Sequence, residues 1–482
     1  MSRVSIVSWS LCSLSLLACF GKVRYSVDTG THDDGSFGGA LPPDDDPPSS
    51  GGTTPDPSGG APTVLPPPLC GVDCCPPALT QLSLSPGGKS LDESLTHPLL
   101  SGDGAWVVFA SRSRVLGPRN ETGEADVFAL SLANNELVPV SARGSVVSDA
   151  SSEPNGVSAD GRYILFTSSS SKIIGGDDNG HSDVFLWDRV DRVYAVPSAP
   201  STEEFGNGPS LGRDLSPDGR WVVFSSAASN LVPLDDNGAW DVFVWDRITG
   251  TTERISMGPG DQQRNPVPGP HAHISADGRF VSFHSQSNQL APGDADETFD
   301  IYLVDRHNQS LSVVSRSPTH GAADGNSFVL GMSDDARFFS SYASASDLVP
   351  GDSNGLTDVF LFDHEHGTAL RANVSQKGSQ ADGESNTASL SGDGRYLTFA
   401  SAAASLVPEH PSTTADSFLY DAQRGVLTRL SEDAQHGPGN GPSDVAQLSA
   451  SGRCFVFSSF ASNLTLSSED DGVADLFIGQ AP

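Results

Sequence analysis

Short apolar runs recur along most of the chain, each entered through a polar turn. The clearest is Trp221-Val222-Val223-Phe224, in which both alternating faces are apolar. It follows Ser216-Pro217-Asp218-Gly219-Arg220. The same Ser-x-Asp-Gly signal, usually followed by Arg and an aromatic, starts at Ser101, Ser158, Ser216, Ser275, Ser333, Ser391 and Ser449. The intervals are 57, 58, 59, 58, 58 and 58 residues. Two copies deviate: Asp335-Ala336 lacks the Gly, and Ser451-Gly452 lacks the Asp. In each unit the first apolar run leads through a loop to a second, such as Asp241 to Arg247. A polar-alternating strand such as Thr251 to Ser256 comes next, and a fourth segment closes the unit.

Four short strands joined by turns and repeated seven times predict an all-β, seven-bladed propeller with four strands per blade. Strands apolar on both faces belong in sheets with a neighbouring sheet on each side. Asp-Gly at the first turn predicts a tight hairpin in which both central residues have positive φ. The seventh repeat stops near Asp475 to Ile478, one strand short. Leu79 to Gly88 matches Thr252 to Asp261, so an N-terminal strand is expected to complete the last blade and close the ring.

The first nineteen residues read as a signal peptide: Arg3, an apolar-to-small stretch from Val4 to Ala18, then Cys19. Leu16-Leu17-Ala18-Cys19 resembles the bacterial lipobox, which implies acylation of Cys19, with Leu17 where a smaller residue is usual. From Phe20 to Pro68, Pro and Gly make up 19 of 49 residues, which predicts a disordered tether. The expected organisation is therefore a signal peptide over 1–19, a tether with a Cys cluster over 20–77, and the propeller over 78–482.

Charge narrows the partners. The chain carries 27 Lys+Arg against 60 Asp+Glu, a net charge of -33, which repels phosphate backbones and argues against nucleic acid. The membrane is expected to be reached through the lipid anchor only.

The repeat Ser216-Pro217-Asp218-Gly219-Arg220-Trp221-Val222-Val223-Phe224 resembles the TolB-type, WD-like propeller repeat, over residues 78–482. TolB itself carries an additional α/β domain that is missing here. The resemblance implies an envelope-facing propeller that binds protein or ligand. Related propellers precede serine peptidase domains, but the repeats run to the C-terminus, so peptidase chemistry is not expected.

Candidate chemistry lies in the loop between the second and third strands. The second copy offers Asp177, Asn179 and Asp183, the third Asp235, Asn237 and Asp241, and the fifth Asp352, Asn354 and Asp358. The fourth offers Asp294, Asp296 and Asp300, and the seventh Glu469, Asp471 and Asp475. The first copy keeps only Asn120 and Asp126, the sixth only Asp416. Oxygen-rich loops with a Gly at the bend suit Ca²⁺, which takes six to eight oxygens. The plainer reading is an Asx-stabilised turn whose last Asp anchors a strand. His97 and His271 fall on equivalent innermost-strand positions, with His273 two residues on; a polar channel lining is expected there ahead of a metal site. Export permits a disulfide, most simply Cys70 with Cys74 or Cys75, and leaves Cys454 as a buried free thiol at an aromatic position. The function expected is that of a non-enzymatic propeller tethered at the cell envelope, on the outer membrane, and binding a protein or glycan. The alternative is a polysaccharide-acting enzyme, a lyase or glycosidase, using the channel face.

Overall fold

In the computed structural model the chain is described from Cys75 to Pro482, except 83–92, 114–115, 117–122, 143–147, 176, 202–203, 259–261, 264–270, 288–289, 291–296, 319–320, 408–410, 413 and 467–471. The signal peptide, Cys19 and residues 20–74 of the expected tether lie outside the described residues.

The described strands form seven four-stranded antiparallel sheets and two small two-stranded ribbons. Blade 3 is typical. Its innermost strand is Ser210–Leu215, followed outward by Trp221–Ser226, Asp241–Asp246 and Thr251–Arg254. The innermost strands of successive blades contact one another around the ring. The core is divided accordingly. Seven separate apolar clusters each fill the space between two adjacent blades. Between blades 2 and 3, for example, Tyr163 and Leu165 pack with Val222, Phe224 and Phe243. This is why the second and third strands are apolar on both faces.

The Ser-x-Asp-Gly turn is built from its own side chains. In blade 3, Ser216 Oγ donates to Asp218 Oδ1 at 2.6 Å and accepts from Trp221 N at 2.9 Å. Gly219 N donates to Ser216 O at 2.8 Å. Only the Gly has positive φ (69° at Gly219); Asp218 does not. The expectation of two positive-φ residues is therefore corrected: Asp stays in ordinary backbone space because its carboxylate caps the turn. The turns also join into a chain of backbone bonds around the channel. Ala276 N donates to Asp334 O, Asp334 N to Gly392 O, Gly392 N to Ala450 O, and Ala450 N to Gly102 O, at 2.8–3.1 Å. Pro217, with no N–H, cannot donate to its neighbour.

Closure follows the expected route. Thr80–Leu82 pairs antiparallel with Asp475–Gln480, giving the last blade its outer strand. Beside it, Cys75 is bonded to Cys454 across 379 residues. Cys454 is therefore not a free thiol, and a Cys70–Cys75 bridge is excluded; Cys70 and Cys74 lie outside the described residues. The disulfide fills the slot that an aromatic occupies in other blades, with Gly104 of blade 1 packed against Cys454.

Candidate functional site

Three groups of polar residues stand out from the scaffold, and the acidic loops come first. In blade 2 the loop turns at Asn179, whose Oδ1 accepts from His181 N at 2.9 Å. Asn179 Nδ2 donates to Asp183 Oδ2 at 2.7 Å and to Gly206 O at 3.1 Å. Asp183 opens the third strand, and its Oδ1 accepts from Ser198 Oγ at 2.8 Å, tying the third strand to the chain beyond the outer one. Asn237 with Asp241 and Asn354 with Asp358 repeat the arrangement. Ser141 on Asp126, Ser256 on Asp241, Ser315 on Asp300, Asn373 on Asp358 and Ser431 on Asp416 repeat the anchor. Asp294, Asp296, Glu469, Asp471 and Asn120 lie outside the described residues.

In blades 3 and 5 the first acid of the loop has a partner that sequence spacing did not bring out. In blade 3, Arg254 of the outer strand places Nη1 2.8 Å from Asp235 and 3.5 Å from Asp241. In blade 5, Arg371 lies 3.0 Å from Asp352 and 2.9 Å from Asp358. Arg429 pairs with Asp416 in blade 6, and Gln81 of the closing strand donates to Asp475 in blade 7. All four occupy one register position, opposite the second residue after the anchoring Asp. Phe243 faces Arg254, Phe360 faces Arg371, Phe418 faces Arg429 and Phe477 faces Gln81. The signal was available, since Arg254, Arg371 and Arg429 each stand two residues before the Ser or Asn anchor.

Blades 1, 2 and 4 lack this polar side chain, with Pro139, Val196 and Val313 at that position, and of these blade 2 alone has both loop acids among the described residues. Val196 is buried in the apolar cluster between blades 1 and 2. Asp177 is only 5% exposed, and neither carboxylate oxygen has a hydrogen-bond partner of normal geometry among the described residues. The Asn179 backbone N–H favours its ionised form, but burial and neighbouring charge outweigh it. Desolvation, then the nearby Asp183 charge, push Asp177 up to about 9, and burial pushes Asp183 up to about 7.

The second group lies at the channel mouth of blades 3 to 5, on the same face as the acidic loops. The fifth residue of the second strand is small in most blades: Ala110, Thr167, Ser225, Ala400 and Ser458. In blades 4 and 5 it is His284 and Tyr342. His284 lies tilted against His271 at 5.6 Å and meets Phe299 and Phe328 edge-on at 5.5 and 5.1 Å. Phe328 stacks on Tyr342 at 4.8 Å. Arg213 of blade 3 donates to Ser225 Oγ at 3.2 Å. His271 touches solvent, yet the surrounding channel wall desolvates it, and together with the Arg213 charge this holds the ring well below the usual histidine range. His284 is held low in the same way.

Deeper in the channel, His273 Nδ1 lies 3.4 Å from Asp214 Oδ2. Burial, then Asp214, raises Asp334. His97, at positive φ in a bulge of blade 1, faces Glu153 at 3.6 Å instead of joining His271. The three histidines thus share the channel but not a centre.

The third group is a cavity of about 380 Å³ between blades 4 and 5 on the opposite face, lined in part by Val313, Arg316, Phe362 and His364. Asp363, Glu365 and His366 converge at its edge. Arg337 already lies 2.8 Å from Asp363 and 2.9 Å from Glu365. Arg162–Asp188, Arg220–Asp246, Arg279–Asp305 and Arg395–Asp421 are the same pair in other blades, so this convergence belongs to the scaffold.

Two pentapeptides have the Gly-x-Ser-x-Gly spacing of a hydrolase elbow, Gly208–Gly212 and Gly351–Gly355. Neither sits on a strand-to-helix turn. Ser210 is buried with its Oγ on Ser226, and Ser353 lies in an acidic loop beside Gln380.

No protein-family model matches the chain, and no curated protein matches it. Its likenesses are to solved structures. An oligogalacturonate lyase from Vibrio parahaemolyticus aligns at 12% identity and TM-score 0.51, over 84% of this chain and 96% of that one. The propeller domain of the Trilobed protease from Pyrococcus furiosus aligns at 10% identity and TM-score 0.49, over 80% and 95%. TolB from Acinetobacter baumannii aligns at 14% and 0.38, over 71% and 64%. At these identities the likeness is one of fold. The chain is a seven-bladed β-propeller.

Proposed function

We propose that this chain is an exported, membrane-tethered binding propeller without catalytic activity, anchored through Cys19 at the cell envelope. Its binding surface is the channel mouth of blades 3 to 5, and its partner is an envelope protein or glycan. The observation that carries the reading is the local break in an otherwise regular repeat. Where other blades have small residues, blades 4 and 5 place His284 and Tyr342, with Phe299 and Phe328 between them. Phe299, Phe328 and Tyr342 are half-buried beside the buried His284, and aromatic groups on a rigid scaffold are typical of recognition surfaces. The Cys75–Cys454 bond supports export, since such bridges persist in oxidising compartments.

The test restores the repeat. His284→Ser and Tyr342→Ser install the residue that blades 3 and 7 carry. Capture from envelope extracts by the full chain should yield a partner that the double variant loses while keeping its circular dichroism spectrum. Equal capture by both proteins overturns the reading.

A second reading, a polysaccharide-acting enzyme, draws on the unequal placement of Asp214, His273 and Asp334 in three blades. Acid–base chemistry needs such asymmetry. Turnover of a polysaccharide by wild-type protein, abolished in His273→Ala, would select it.

A further inference from the structure

The acidic loops provide an internal comparison that singles out blade 2. The same two carboxylates recur in blades 2, 3 and 5, as Asp177 and Asp183, Asp235 and Asp241, and Asp352 and Asp358. In blades 3 and 5 an arginine guanidinium stands between them. In blade 2 the arginine is replaced by Val196, yet both carboxylates are retained and buried. Exchanging a cation for an apolar side chain while keeping two buried acids leaves an uncompensated charge.

We infer that the Asp177–Asp183 pair of blade 2 binds a calcium ion in the role that Arg254 and Arg371 fill in blades 3 and 5. Apart from the Asn179 backbone N–H, which stabilises the ionised form without a bond of normal geometry, Asp177 has no hydrogen-bond partner among the described residues, so its oxygens keep lone pairs for an ion. Asp183 Oδ2 accepts only from Asn179 and keeps a second lone pair. Asn179 is turned with its amide N–H groups on Asp183 and Gly206, so its carbonyl belongs to the turn and not to the ion. Two carboxylates supplemented by waters or carbonyls suit Ca²⁺, which accepts irregular oxygen sets, better than Mg²⁺, which demands a near-ideal octahedron. Asp178 and Asp149 add negative potential at the pair. Lys172, the nearby lysine, is exposed and paired with Asp149 at 3.8 Å. An ion can enter from the loop surface, where Asp178 is exposed. This inference does not depend on the channel-mouth reading.

The test uses the full chain freed of metal by chelation, with calcium and magnesium chloride as probes. Calorimetry should show calcium binding, and the melting temperature should rise by roughly 3 °C at a hundredfold excess over Kd. Magnesium should have a smaller effect. Asp177→Asn should abolish the calcium shift, because it removes a charged ligand without changing shape. Val196→Arg, which installs the residue of blades 3 and 5, should also abolish the shift. Asp235→Asn, in a pair that Arg254 already neutralises, should keep it. Absence of calcium heat and shift in the wild type overturns the inference and leaves Asp177 as a buried protonated acid. A shift that survives Asp177→Asn also overturns it.

Discussion

Gly219 of blade 3 sits so close to Tyr163 of blade 2 that a Cβ on it would come within 2.1 Å of the ring. Gly161 stands in the same relation to Trp106, Gly278 to Trp221, Gly394 to Phe338 and Gly452 to Tyr396. The turn glycine thus serves two ends: it takes the left-handed backbone of the hairpin and lets the aromatic of the preceding blade lie flat against the turn. Gly219→Ala should cost roughly 2–4 kcal/mol, from the strained φ and the clash together. Ala336 holds this position in blade 5 at φ 58°. Ala336→Gly should stabilise by about 1 kcal/mol, the release of strain being partly offset by the freer unfolded chain. Denaturant unfolding of both variants checks the pair of opposite signs.

Arg254 is a buried cation held between two buried anions. Arg254→Met should lower stability by about 3–5 kcal/mol, because removing one partner leaves the others uncompensated. Loss of packing alone would give a smaller effect, and Asp235→Asn combined with Arg254→Met should recover part of the deficit. A double-mutant cycle by urea unfolding measures that coupling.

The ring is fastened twice, by Thr80–Leu82 on Asp475–Gln480 and by Cys75 on Cys454. Cys75→Ser and Cys454→Ser should each cost roughly 2–5 kcal/mol, and the double variant no more than either alone. Deleting 79–82 should cost several kcal/mol even with the disulfide intact, since it strips the last blade of its outer strand. Deleting 20–68 should leave the melting temperature unchanged. Calorimetric scans of the five variants separate these contributions.

Stability should fall in acid through a repeated set of carboxylates. Arg220, Arg279 and Arg337 hydrogen-bond Asp246, Asp305 and Asp363; for Asp363, burial works against its arginine and His366 bonds. All three are held down to about 2. A depressed folded pKa means that the unfolded chain takes up protons first. Their contribution is complete above the unfolded value near 4 and is lost as pH drops toward 2. Arg279→Gln should flatten that part of the profile, as read from melting temperature against pH.

Release of the protein from membranes by Cys19→Ser checks the anchor. Wild-type protein that fractionates as soluble periplasmic or secreted material would exclude it.

The sequence by itself determined the blade count, the strand order and the closing strand. Each rests on local information: a turn whose Ser and Asp bond within five residues, apolar runs whose two-sided pattern demands neighbours, and a period that exposes the missing strand. It also located the acidic loops, because Asx turns are local too. Only the tertiary structure decided what those acids face. Asp235 meets Arg254 through the register of third and outer strands, and blade 2 has Val196 in the place of that arginine. Cys75 reaches Cys454 because ring closure brings together chain segments 379 residues apart. The mouth cluster required His271, His284, Phe328 and Tyr342 to converge from two blades. Periodicity describes what blades share, whereas charge compensation and recognition arise where individual blades depart from it, and those departures acquire partners only when the ring is closed.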